Sequence, residues 1–128
     1  MYSFICYGHG NISSSHKATL EFTKDREITR MGHCIVGVRA DFELDRIKRL
    51  VKDKKKLKIV IRAGDIKDEI NCLVNPGFDD DRELVVRRSD FSSKRTLGIR
   101  CDKASAGLSG LLKEKLSDPG QKIIITLI

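Results

Sequence analysis

The chain has 128 residues, 34% of them charged, and 25 Lys and Arg against 18 Asp and Glu give it a formal net charge of +7. That length suits one domain, 1–128, able to close a hydrophobic core unaided. No apolar run approaches the roughly 18 residues of a membrane helix, and the opening "MYSFICYGHG" lacks the basic and apolar regions of a secretory leader, so the expected setting is the cytoplasm, with no membrane partner.

In chain order, alternating and apolar stretches predict strands near 2–7, 16–23 and 34–39, a helix over about 42–54, and a strand at 57–63. The second half repeats the order, with strands at 67–74, 83–88 and 95–100, a helix at 103–117 and a strand at 121–128. Leu44, Ile47, Leu50 and Val51 mark one helix face, and Ala104, Leu108, Leu111, Leu112 and Leu116 the other. "KIIITLI" is apolar enough to predict a C-terminal strand covered on both sides. "NPGFDDDR", Asn75 to Arg82, reads as a loop whose acids are solvated.

Two pentapeptides, "GVRAD" (Gly37 to Asp41) and "GIRCD" (Gly98 to Asp102), are separated by 61 positions, and "KIVI" at Lys58 is matched by "KIII" at Lys122, 64 positions on. These matches predict a duplication, with pseudo-repeat halves 1–64 and 65–128. The expected fold class is therefore α+β: a duplicated βββαβ unit whose eight or so strands form a barrel-like or two-sheet core with two helices. Asp41 and Asp102, each between a strand and a helix, are expected to cap the helices, and Gly37 and Gly98 to mark a bulge or a close backbone approach. Cys6, Cys34, Cys72 and Cys101 lie far apart in apolar stretches without C-x-x-C spacing, which predicts buried, reduced thiols.

Charge separates the halves. Residues 1–64 carry 14 Lys and Arg against 7 Asp and Glu, whereas residues 65–128 carry 11 of each. All three histidines also fall in the first half. A hairpin through "GHGNISSSHKATLEFT" would bring His9 and His16 within reach of one metal or one anion, while parity puts His16 with Leu20 and Phe22 on an apolar side. Along "DRIKRLVKDKKKLK", Lys48, Arg49, Lys52, Lys55 and Lys56 crowd the polar side of the first helix and its exit, a surface able to follow phosphates. Asp45 and Asp53 partly balance it. No P-loop, zinc-protease, nucleophile-elbow or paired C-x-x-C signature occurs, and with 5% aromatic residues the chain has no platform for base stacking on its strands.

The segments "GHGNISSSHKATLEFT", "ITRMGHCIVGVRAD" and "RRSDFSSKRTLGIRCDKAS" together resemble an archaeal family, domain of unknown function 371. The resemblance spans nearly the whole chain and implies an archaeal cytoplasmic protein, with no activity attached. His9 and Asn11 match one family segment; His16, Lys17, Thr19, Glu21 and Phe22 a second; Arg30, Gly32 and Cys34 a third. In the second half Arg88, Ser89, Arg95, Thr96, Asp102 and Lys103 match. The chain departs at His33, where the pattern has aspartate, and at Ala18, where threonine is common.

Three functions follow as expectations. The first is a binding module for an anionic partner, RNA or a phosphorylated ligand, on the basic first half. The second is an enzyme with a pocket around His9, Asn11, His16, Lys17, Glu21 and Arg30, with His9 and His16 as candidates for holding a divalent metal. The third is a structural or protein-interaction role. Catalytic residues, cofactor and oligomeric state are not assigned by the sequence.

Overall fold

In β1 (Tyr2–Tyr7), Tyr2, Phe4 and Cys6 are buried and the residues between them are not, the period-two burial of a strand with one covered face. The computed structural model, which describes residues 1–128, continues with β2 (Thr19–Thr23), β3 (Ile35–Gly37), α1 (Leu44–Val51), β4 (Lys56–Ala63), β5 (Ile66–Val74), β6 (Glu83–Arg87), β7 (Thr96–Ile99), α2 (Gly110–Leu116) and β8 (Lys122–Leu127). The order strand, strand, strand, helix, strand thus occurs twice. All eight strands join one mixed sheet in the order β1-β8-β4-β5-β7-β6-β2-β3. Two pairs, β2 with β3 and β6 with β7, are parallel, and the remaining pairs are antiparallel.

The inward residues of the strands, among them Phe4, Leu20, Phe22, Ile59, Ile61, Ile70, Leu84, Leu97 and Ile125, form one continuous core with Ile47 and Val51 of α1 and Leu112 and Leu116 of α2. Phe4 is its hub, edge-on to Phe22 at 5.7 Å and to Phe42 at 5.5 Å between ring centroids. Each fully buried aliphatic side chain contributes about 1.5–3 kcal/mol. That scale explains why two helices of only eight and seven residues stay in place although neither would be helical alone.

The sheet is open, not the barrel or two-sheet core expected. β3 is three residues long, too short to build a ladder with β1, and the two edge strands touch through a single isolated bridge between Tyr7 and Val38. β8 also departs from expectation: Ile123, Ile125 and Leu127 are buried, but Ile124 is 38% exposed, so the strand is covered on one face only. Its run of isoleucines hides an alternation that the helices impose by covering only one side of the sheet.

The second helix is shorter than its apolar stripe predicts. Residues 105–107 form a single 3-10 turn, Leu108 is extended, and the helix restarts at Ser109, whose hydroxyl accepts from Leu112 N at 3.2 Å. The carboxylate of Asp68 holds this break open, accepting from Lys103 Nζ at 2.8 Å and Ser109 N at 3.0 Å.

Asp41 and Asp102 are not helix caps. Asp41 Oδ1 accepts from Ile5 N at 2.7 Å while its own N donates to Ile5 O at 3.0 Å, and Asp102 makes the same two bonds to Asn71, both at 3.0 Å. Each aspartate thereby extends a strand edge by one residue, after an arginine, Arg39 or Arg100, in the left-handed region at φ 52° or 50°. Gly37 and Gly98 are close approaches, as expected: a Cβ on Gly98 would lie 2.9 Å from Cys72 Cβ, and one on Gly37 would meet Cys6 Sγ. That same approach brings Cys72 to Cys101, and the two form a disulfide, against the expectation of four thiols. Sequence separation concealed the pair because the tertiary crossing of β5 and β7 creates it. Cys6 and Cys34 are free.

Candidate functional site

Leu44 and Val51 stand seven positions apart, about two turns, so the apolar stripe of α1 leaves its cations on the opposite, solvent side. Lys48, Arg49 and Lys52 meet the turn at Pro76 and Phe78 around a cleft of about 300 Å³, with Val51 and Phe78 contributing its apolar floor. The turn itself is held by Asn75, whose Oδ1 accepts from Gly77 N at 3.2 Å and whose Nδ2 donates to Thr96 O at 2.8 Å. Across the mouth, Lys48 Nζ pairs with Asp79 Oδ1 at 3.0 Å. Arg49 also lines a second cleft of about 600 Å³ with Met1, Tyr2, Arg46 and Leu50, and a shallower one with Asp45 and Lys48.

Arg46 approaches Glu43 at 4.0 Å and lies 5.1 Å over the Tyr2 ring. Arg49, Lys52, Lys55 and Lys56 make no ion pair within that range. Lys56 stands apart from these three clefts, lining another of about 490 Å³ over β4 and β5 with Lys58, Asn71 and Arg100.

The residues expected around His9 and His16 divide into separate groups. His9 Nδ1 accepts from Asn11 N at 3.0 Å and its Nε2 donates to Glu27 Oε2 at 3.1 Å, while Asn11 Nδ2 reaches Ile28 O at 2.8 Å. His16 Nδ1 accepts from Ala18 N at 3.1 Å and Thr19 N at 3.0 Å, and its backbone joins Ser105. Both lie in the connection between β1 and β2, where each ring closes its own turn, and the two share no hydrogen-bond partner. Lys17 and Arg30 are exposed and make no ion pair. His33 Nδ1 stands 3.4 Å from both Ser13 Oγ and Ser15 Oγ. No three His, Cys, Asp or Glu side chains gather in an arrangement that could hold a metal ion.

Glu21 lies elsewhere, on the outer face of β2, and is only 5% exposed. Burial pushes its carboxyl up to about 8, helped by a hydrogen bond with Glu83 and by that residue's charge, against the opposing pull of Arg95. Arg95 Nη1 is 3.8 Å from Glu21 and 3.0 Å from Glu83, and Cys34 Sγ donates to Glu21 Oε1 at 3.9 Å. The Cys34 thiol rises to about 11 through burial and the Glu21 charge. Glu21, Glu83 and Arg95 form a closed cluster, and none of the clefts described above opens onto it.

Sequence reasoning named the cations of α1 but not their counterpart, the turn at Pro76 and Phe78. Only its position in a loop was legible, and no local pattern reports which helix a loop will touch.

The fold and this surface define an α+β protein with one open mixed sheet and a basic helix beside shallow clefts; no helix is long and apolar enough to cross a membrane. The chain belongs to the family described as domain of unknown function (DUF371), which matches residues 4–128. It is also 32% identical to an uncharacterised protein of the archaeon Methanocaldococcus jannaschii, over 94% of this chain and 93% of that protein.

Proposed function

We propose that this domain is a cytoplasmic binding module for an anionic partner carrying phosphate groups, held on the solvent face of α1. The observation that carries the reading is the cleft between α1 and the turn at Pro76, where Arg49 and Lys52 have no carboxylate partner. Unpaired cations over an apolar floor keep their Coulomb attraction for an incoming anion, whereas paired ones must first release an acid. Arg49 brings a planar fork suited to two phosphate oxygens and Lys52 a mobile point charge. Lys48 joins them when a phosphate replaces Asp79.

Binding of heparin and of a fluorescent RNA strand at low ionic strength tests this. Tight binding that falls steeply with added salt is expected, and Arg49→Ala with Lys52→Ala should weaken it at least about tenfold, two lost phosphate contacts being of that order. Absence of binding at low salt, or an unaffected double variant, removes the reading.

We further infer that the two halves descend from one unit. Support comes from the paired bonds of Asp41 to Ile5 and Asp102 to Asn71, the left-handed Arg39 and Arg100, and the register shifts at Glu21/Phe22 and Val85/Val86. On this reading the bridge Tyr7–Val38 is the counterpart of the short β5–β7 ladder.

A further inference from the structure

We propose that the ligand of the α1 surface is a single-stranded nucleic acid laid across two adjoining clefts, with the Arg49 guanidinium between consecutive nucleotides. The inference rests on the anion-binding reading above and goes further by naming the ligand. Three observations select it over other polyanions.

First, the clefts meet at one side chain. Arg49 belongs both to the 300 Å³ cleft with Lys48, Lys52, Pro76 and Phe78 and to the 600 Å³ cleft with Met1, Tyr2, Arg46 and Leu50. A ligand filling one must pass Arg49 to enter the other. Second, each cleft repeats one pattern, cations at the rim and the edges of otherwise buried apolar side chains within: Val51 and Phe78 in one, Tyr2, beside the half-buried Leu50, in the other. Inorganic polyphosphate or a sulfated sugar uses the rim and leaves the apolar part unfilled. A nucleotide chain matches both, because every repeat pairs a charged phosphate with a flat apolar base.

Third, arginines line both clefts, Arg49 in each and Arg46 in the second. Arg46 already lies 5.1 Å over the Tyr2 ring, so a guanidinium sits against an aromatic ring here without ligand. Arginine planes stack on unpaired bases in the same way, which makes up for the shortage of exposed aromatic residues. Duplex bases are unavailable for this, so the clefts favour a single strand. The acids on the face, Asp45 beside Lys48 and Arg49, Glu43 near Arg46 and Asp79 on Lys48, are fewer than the cations and oppose entry of a second strand.

The test is a length series of oligouridylates from one nucleotide to eight, with polyphosphate of matched charge and a duplex of matched sequence, all at low salt. Affinity is expected to rise at least about tenfold between the mononucleotide and roughly four nucleotides, then to level off. Arg46→Ala, which touches only the second cleft of the pair, should cost the tetranucleotide most of that gain, a larger loss than the mononucleotide shows. Arg49→Ala should weaken both. If affinity is independent of length, or if polyphosphate or duplex binds as tightly as the single strand, the proposal is overturned while anion binding stands. If none of the ligands binds, both readings fall. Circular dichroism of the two variants, at surface positions, separates lost contacts from lost folding.

Discussion

Cys6 and Cys72 occupy comparable places in the two halves of the chain, each beneath a close-packed glycine and beside an aspartate clamp, yet only Cys72 is bonded. The difference is one residue in the matching pentapeptides: Cys101 follows Arg100, whereas Ala40 follows Arg39. A second contrast lies where β2 and β6 pair, Glu21 opposite Val85. A third is the helix: α1 carries a basic face, while α2 is preceded by a separate 3-10 turn and carries two lysines in its last turn. Similar backbones therefore carry different chemistry. The second half is reinforced covalently, and the first holds the buried carboxyl and the unpaired cations.

The sharpest way to test that contrast is to remove the bridge. Replacing Cys72 and Cys101 together by serine should cost about 3–4 kcal/mol in urea unfolding, the entropy of a loop closed over a separation of 29 residues. The reciprocal variant, Ala40→Cys, should show one titratable thiol in denaturant, Cys34, against two in the parent, as the new cysteine bridges to Cys6. A variant in which Cys6 still titrates breaks the equivalence of the halves at this point.

Next in size are the two clamps. Asp41→Ala and Asp102→Ala each leave a strand amide without its acceptor, a loss of about 1–2 kcal/mol. Similar values in the two halves sharpen the comparison; a cost confined to one shows that the clamps are not equivalent.

A pH dependence belongs to the first half alone. Glu21 has a folded value of about 8, above its ordinary 4.5, so the folded state binds this proton more tightly than the unfolded chain. The resulting stabilisation is complete below the ordinary value and is lost as pH rises through about 8. Glu21→Gln keeps the side chain neutral, so the fall in unfolding midpoint between pH 5 and 9 should flatten in that variant. An unchanged profile would show that Glu21 is ionised throughout. Asp68 has the opposite sign: burial raises it, but the Lys103 hydrogen bond and two backbone amides outweigh this and hold it below its usual range.

The strand positions and the first helix were legible because alternation in "LKIVIRA" and the stripe Leu44, Ile47, Leu50 and Val51 report local geometry. The candidate site was half legible. Lys48, Arg49 and Lys52 announce a charged face, but the cleft needs Pro76 and Phe78, which meet α1 only through the fold. Asp41 and Asp102 misled for a related reason, since a strand-to-helix junction favours a capping aspartate locally while the nearest unsatisfied amide belonged to another strand.

By itself the sequence determined the α+β class, the number of strands, the position of the first helix, the charge asymmetry and the family, all of which are written in local periodicity, composition and motif order. The tertiary structure decided whether the sheet closes, which cysteines bond, what the two aspartates hold, and that Glu21 is buried beside Glu83. These depend on contacts between residues far apart in the chain, where distance in space is set by strand order and no local pattern encodes it.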